Sequence, residues 1–164
     1  MSIVNRSQVP SNEVVLTGGV YTLRVKKSEV AVSRGSGNRQ IVLLTEIVAP
    51  TTIQVGDRDL NIQGIEHTYY LGLSQQENRG GRVPIADTLD VYEKLGLGSE
   101  VDDEAPELGV FEGLYFKAVL ESKERVLTNA KGDAILENGK KVTNGWQIVG
   151  FSSGIVTRVD PATL

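Results

Sequence analysis

The reactive inventory of this chain is short. It holds one histidine, His67, and no cysteine among 164 residues, which excludes thiol nucleophiles, thiolate metal sites and disulfides. Nucleophilic and acid–base catalysis requires a base held against a nucleophile or a substrate proton, and no partner pattern surrounds His67. Its parity, shared with Ile65 and Tyr69, predicts a histidine at the core or rim of a sheet. Gly35-Ser36-Gly37-Asn38-Arg39 has the glycine density of a phosphate cradle. It lacks the Gly-Lys-Ser/Thr ending, however, and runs from one expected strand into another, so no helix N-terminus is offered. Gly139-Lys140-Lys141 fails the same test. Asp57, Asp59 and Asn61 open with the spacing of a calcium loop, yet Ile62 stands where glycine is required and Thr68 where a bidentate glutamate is required. A turn rich in side-chain-to-backbone hydrogen bonds is expected there instead. No catalytic residue, metal site or cofactor is expected, and the chemistry that remains is binding.

A formal net charge of -4 argues at face value against a nucleic-acid partner, since that affinity comes mainly from neutralising phosphates. The distribution reverses the argument. Glu100, Asp102, Asp103, Glu104 and Glu107 lie in the segment 99–107 with no basic residue among them. Setting these five aside from the 21 acidic residues leaves 16 against 17 basic ones, a nearly neutral body carrying one acidic insert. Several basic residues then fall in apparent loops: Arg34 and Arg39 around the glycine turn, Arg79 and Arg82 together, and Lys131, Lys140 and Lys141 on an excursion over 128–144. Arg24, Lys26, Lys117 and Lys123 stand on expected strands.

Single-strand binding needs such a basic track together with exposed aromatic faces on which bases stack. Aromatic residues make up only 5% of the chain, so each ring has to be accounted for. Tyr70 shares a strand face with Glu66 and Thr68, Tyr115 shares one with Lys117, and Trp146 opens the last strand beside the basic excursion. These three rings are the stacking candidates. Arg24, Lys26, Arg34, Arg39, Lys117, Lys123, Lys131, Lys140 and Lys141 are the candidates for phosphate contact. The acidic segment is expected to compete with nucleic acid or to dock a partner, because unpaired carboxylates raise the field against an approaching phosphate backbone.

The elements that must position these residues are mostly strands. Eighteen glycines against five prolines point to many turns and few long helices. Residues 1–17 lack a sustained period and read as an irregular lead-in, with a short pairing at Glu13 to Leu16. From Gly18 onward Tyr21, Leu23 and Val25 alternate with Thr22, Arg24 and Lys26, the period of a half-buried strand. The apolar parity then changes to Val30 and Val32, which predicts a bulge of the kind that bends a strand around a barrel.

Ile41 to Val48 is a second strand, apolar on both parities at first, and Ile65 to Leu73 a third. Ala49 to Gln63 reads as a loop with at most a short strand. Pro84, Ile85, Leu89, Tyr92 and Leu95 mark one helix, ended by Gly96 or Gly98. Leu108 to Leu127 is a long strand with Leu114, Phe116, Ala118 and Leu120 on one face. Asn138-Gly139 signals a hairpin turn, and a final strand runs from Gly145 to about Val159.

Three strands, one helix and two strands, with the first strand long and bulged, is the order of the OB-fold, a five-stranded barrel that binds oligonucleotides or oligosaccharides. The expected fold is therefore all-β with one helix, an OB-like five-stranded barrel over residues 18–164 with elaborated loops.

Four stretches carry a further likeness: Gly19-Val-Tyr21 through Glu29, Ser36-Gly37-Asn38 through Glu46, the helix ending Tyr92-Glu-Lys-Leu-Gly-Leu97, and Phe111-Glu-Gly-Leu-Tyr-Phe-Lys-Ala-Val119. Over roughly residues 18 to 125 the chain resembles a family of small tailed-phage proteins that sit among replication and recombination genes and are thought to be OB-fold single-stranded-DNA-binding proteins. The resemblance implies a non-enzymatic, sequence-tolerant DNA-binding role. Its partners would be single-stranded DNA and replication or recombination proteins reached through the acidic segment, and self-association into a homo-oligomer is compatible with it. Two features depart from the pattern: the acidic cluster is internal rather than at the C-terminus, and the excursion over 128–144 is longer than a minimal hairpin.

The alternative is a phage structural or assembly module that binds protein through the same small barrel. Apolar content of 40% and charged content of 23% are those of a globular domain. Met1 to Gln8 lacks the basic start and apolar run of a signal peptide, and no apolar stretch reaches membrane-spanning length. A soluble protein of the cytoplasm, the host's if phage-encoded, is expected, with no membrane partner.

Overall fold

A computed structural model describes residues 15–164. The lead-in expected over 1–17 and its pairing at Glu13 to Leu16 thus fall largely outside the described residues. Leu16 itself is buried, donates its backbone N–H to Ser122 Oγ at 2.7 Å and accepts from the Ser122 N–H at 3.1 Å.

Among the described residues the architecture is mostly β with one α-helix. Strand β1 (Gly19–Val32) is central: residues 19–24 pair with β6 (Tyr115–Val126), while 22–32 pair with β2 (Arg39–Ala49). Tyr21, Leu23 and Val25 are buried, as their alternation predicts. The register against β2 slips between Val25 and Lys27, so the bulge expected from the parity change falls at Lys26. Strand β2 continues into β5 (Glu66–Gly72) in unbroken antiparallel register from Gln40↔Gly72 to Glu46↔Glu66. The loop expected over 49–63 holds a small hairpin instead, β3 (Thr52–Val55) with β4 (Arg58–Asn61), turning at Gly56 with φ 62°.

The main sheet runs from β10 (Ile155–Val159) through β6, β1 and β2 to β5, with β9 (Thr143–Val149) pairing the far half of β6. It is antiparallel throughout, and it does not close into the expected five-stranded barrel. Its two edges, β5 and β10, share no ladder. The cause lies in the last segment, which is not one strand from Gly145 to Val159. A 3₁₀ turn at Ser152–Gly154 breaks it in two, and the five residues that follow are spent on β6.

Helix α1 (Pro84–Lys94) packs against both β5 and β10 at the open seam. It buries Val91 and Tyr92 in the core together with Leu95 at its C-cap, and Gly96 at φ 67° turns the chain out of it. Its first turn sits directly on Gly72, where a Cβ would lie 2.5 Å from Pro84 Cβ, and Thr88 Oγ1 donates to the Gly72 carbonyl at 2.6 Å.

Between helix and β6 the chain forms a 3₁₀ turn at Leu108–Phe111, so the strand expected from Leu108 starts at Tyr115. Phe111, Leu114, Phe116, Ala118 and Leu120 all enter the core with Leu23, Ile41, Leu43, Tyr69 and Leu71. Full burial of one such large side chain contributes about 1.5–3 kcal/mol.

Past Leu120, β6 and β9 leave the core as a ribbon whose residues are mostly exposed. Its tip is the two-residue hairpin between β7 (Leu136–Glu137) and β8 (Lys140–Lys141). Asn138 and Gly139 both take left-handed angles, φ 53° and 78°, which gives the turn the twist that a tight hairpin requires.

Candidate functional site

The face of β1, β2 and β5 that looks away from the core is set by the register. Residues directly opposite share a face, so this face carries rows across the three strands. Glu29, Val42 and Tyr70 form one row, and Lys27, Leu44 and Thr68 the next. Arg24, Glu46 and Glu66 form the third, extended onto β6 by Tyr115.

The first two rows line adjoining hollows of about 560 and 280 Å³ that share Glu29, Val42 and Tyr70. Val42 and Leu44 form a half-buried apolar floor, and the Tyr70 ring stands on it 60% exposed. Arg34, from the β1–β2 loop, and Gln40 line the larger hollow; Lys27 lines the smaller. Lys27 is held loosely by Glu29 at 3.7 Å. A flat exposed ring over an apolar floor with cations at the rim is an arrangement that accepts a planar base and its phosphate.

Sequence reading named Tyr70 and Arg34 here and missed Lys27, Val42 and Leu44. The signal for the floor was the run Ile41 to Leu44, apolar on both parities. The signal for Lys27 was the bulge, which turns both Lys26 and Lys27 outward.

The other named residues are distributed differently. Arg24 and Lys26 face outward but are engaged. Arg24 is ion-paired with Glu46, and Lys26 Nζ lies 2.9 Å from Glu66 and 3.8 Å from Glu46. The Glu46 carboxylate, followed by the Tyr115 hydroxyl, raises the affinity of the Arg24 guanidinium for its proton. The hydrogen bond to Glu66 does the same for the Lys26 ammonium. Tyr115 is half-buried and lines a separate hollow with Arg24, Gln63, Pro161 and Leu164. Lys117 is exposed between Thr22 and Thr157 and makes no ion pair among the described residues.

Arg34 and Arg39 do not act as a pair. Arg39 turns away from Tyr70 toward the acidic segment, where its Nη2 donates to the Asp103 carbonyl at 2.8 Å. Gln75 Nε2 donates to Asp103 Oδ2 at 2.7 Å from the other side. Asp102 Oδ1 accepts the backbone N–H groups of Ala105 and Glu104, which hold its carboxyl below the usual carboxylate range, with Arg39 adding to the effect. The insert is therefore folded against the first loop. Its five carboxylates make no ion pair among the described residues.

On the ribbon, Lys123 lies 3.3 Å from Glu121. Trp146 is opposite Glu124 and 38% exposed, on the ribbon face opposite to that of Lys123 and its partner Gln147. Lys131, Lys140 and Lys141 are exposed at the two turns of the tip. The twelve named residues thus fall into three groups, on the hollow, on the charged row and on the ribbon, with Arg39 and Lys117 outside them.

His67 points to the core side of β5, edge-on to Tyr69 with ring centroids 4.7 Å apart. Its environment contains no nucleophile hydrogen-bonded to it among the described residues. The glycine turn of the first loop is a strand-to-strand connection closed by Gly37 N–H to the Ser33 carbonyl at 2.9 Å. Among the described residues no helix is long and apolar enough to cross a membrane. Comparison with protein-family models, with curated proteins and with solved structures gives no match to this chain.

Proposed function

We propose that this chain is a non-enzymatic, sequence-tolerant single-stranded-DNA-binding module of phage-type replication or recombination, with the strand crossing the outer face of β1, β2 and β5. The observation that carries the reading is Tyr70, a large ring left 60% exposed above Val42 and Leu44, with Arg34 and Lys27 on the rim. A buried tyrosine would serve packing, whereas one standing free on a strand face offers a stacking surface. In this reading stacking on the ring and charge at the rim carry the affinity, which makes binding sequence-tolerant. The meander β1-β2-β5, the helix at the seam and the return through β6 follow the order of an OB-fold left open at one side, and that likeness supports the reading.

A titration of fluorescent oligo-dT at two salt concentrations tests it. Saturable binding that weakens with salt is expected, with a slope of about -0.7 per phosphate neutralised. A flat titration at low salt, or equal affinity for duplex, overturns it.

A second reading, a module that docks protein, is favoured by another part of the same outer face. Val20 and Val119 are partners on the outer side of β1 and β6 and are 54% and 45% exposed. That reading expects no saturable oligo-dT signal.

A further inference from the structure

We infer that the row Tyr115, Arg24, Glu46 and Glu66 is the boundary of the strand-binding surface, so that the hollow around Tyr70 takes a run of about four nucleotides, the lower end of what such folds accommodate. The inference rests on the single-strand reading above and gives that site its length. These four residues are successive partners across β6, β1, β2 and β5, so they form one continuous line transverse to the strands. Lys26, turned outward by the bulge, lies over the line between Glu46 and Glu66.

The line holds two cations and two carboxylates and carries no net charge. Each carboxylate is already matched. Glu46, beneath Arg24 and Lys26, has a side chain only 16% exposed, so it is not free to swing aside. A phosphate crossing here would have to take Arg24 or Lys26 from its carboxylate and leave a like charge beside itself, which cancels the gain. The two rows on the near side differ: Arg34 makes no ion pair among the described residues, Lys27 is held only at 3.7 Å by the exposed Glu29, and the floor is apolar. From Gln40 to Leu44 that side spans only about 13 Å at roughly 3.3 Å per residue. Glu46 and Glu66 therefore turn the backbone off the face, and neither touches a base.

The experiment compares dT4, dT8 and dT12 by fluorescence anisotropy on the full chain and on Glu66→Gln. Glu66 lies exposed on an edge strand, so the substitution leaves the core alone and removes the nearer of the two carboxylates that hold Lys26, leaving only Glu46 at 3.8 Å. For the parent, affinity should rise from dT4 to dT12 only by the statistical gain of overlapping registers. In Glu66→Gln, dT12 should bind about fivefold more tightly, the scale of one exposed ion pair redirected to phosphate, with dT4 unchanged. The boundary is overturned if the parent gains affinity with each added nucleotide beyond that statistical factor, or binds dT12 but not dT4. It is equally overturned if Glu66→Gln leaves dT12 unchanged or tightens both lengths alike. Absence of saturable binding at every length overturns the single-strand reading itself, and the boundary with it.

Discussion

His67 Nε2 lies 3.0 Å from the carbonyl oxygen of Gly150, a contact that bridges the open side of the sheet from β5 to the corner after β9. Gly150 is required for it. A Cβ at that position would lie 2.3 Å from Leu120 Cδ2, 2.9 Å from His67 Nε2 and 3.3 Å from Tyr69 Oη. Leu120 and Tyr69 are both fully buried, so neither can withdraw without disturbing the core. Gly150→Ala is expected to cost about 1–3 kcal/mol, the usual range for overpacking, and to lower the melting temperature by several degrees. A melting temperature equal to the parent's would show that the corner is not packed this way.

The same contact sets a pH dependence. Burial lowers the pKa of His67 from its ordinary 6.5, and the Gly150 carbonyl opposes the shift without cancelling it. The unfolded chain therefore binds this proton more readily than the folded one. The stability at stake is fully present above pH 6.5 and is lost as pH falls from there through the lower, folded value. Denaturant midpoints should fall between pH 7.5 and pH 5, and the fall should shrink in His67→Gln, which keeps a donor for the carbonyl but does not titrate. Identical pH profiles for the two proteins would assign the dependence to other groups.

Much of the sheet was legible because its signal is local. Tyr21, Leu23 and Val25 alternate, Asn138-Gly139 marks its turn, and the parity slip after Val25 marks the bulge. Closure was not legible, because it depends on whether one late segment stays extended. Phe151-Ser152-Ser153-Gly154 holds a Ser-Gly turn signal, but a glycine within a strand pattern marks a bulge as readily as a break, and here the segment turns and diverts β10 onto β6. The site divided in the same way. Tyr70 and Arg34 could be found from face and loop, whereas the engagement of Arg24 and Lys26 depends on Glu46 and Glu66, which lie 20 to 42 residues further along the chain. Only the register brings those four together.

Tyr70→Ala should weaken oligo-dT binding by about 1–3 kcal/mol, the range for loss of one stacked base, with little change in melting temperature because the ring is largely exposed. Tyr115→Phe removes only the hydroxyl beside Arg24 and should leave binding nearly unchanged. Equal losses in the two variants would shift the interface toward β6.

Arg34 and Arg39 separate by the same logic. Arg34 lines the Tyr70 hollow, whereas Arg39 is held by Asp103. Arg34→Ala should reduce affinity and flatten the salt slope by about 0.7, one phosphate on a single strand. Arg39→Ala should have the smaller effect while Asp103 holds it. A larger loss from Arg39→Ala, measured at low salt, would place the strand on the opposite side of the first loop.

The acidic segment is the remaining charged element beside the proposed site. Its carboxylates are unpaired among the described residues, and Arg39 and Gln75 fasten it beside the first loop, whose other flank carries Arg34 into the Tyr70 hollow. Its field thus acts close to the candidate phosphate contacts, within reach at low ionic strength, where the screening length is about 30 Å at 0.01 M, and much less so near 0.15 M, where it is about 8 Å. Replacing Glu100, Asp102, Asp103 and Glu104 by their amides should tighten oligo-dT binding at low salt. The gain should shrink at near-physiological salt. Asparagine at 102 and 103 keeps oxygen acceptors for the Glu104 and Ala105 N–H groups and for Gln75, so the segment's fold should survive and the charge change be read by itself. Paired titrations at the two salts decide the matter: a gain that shrinks with salt identifies the segment as a competitor for the strand, and curves identical to the parent's at both salts remove that role.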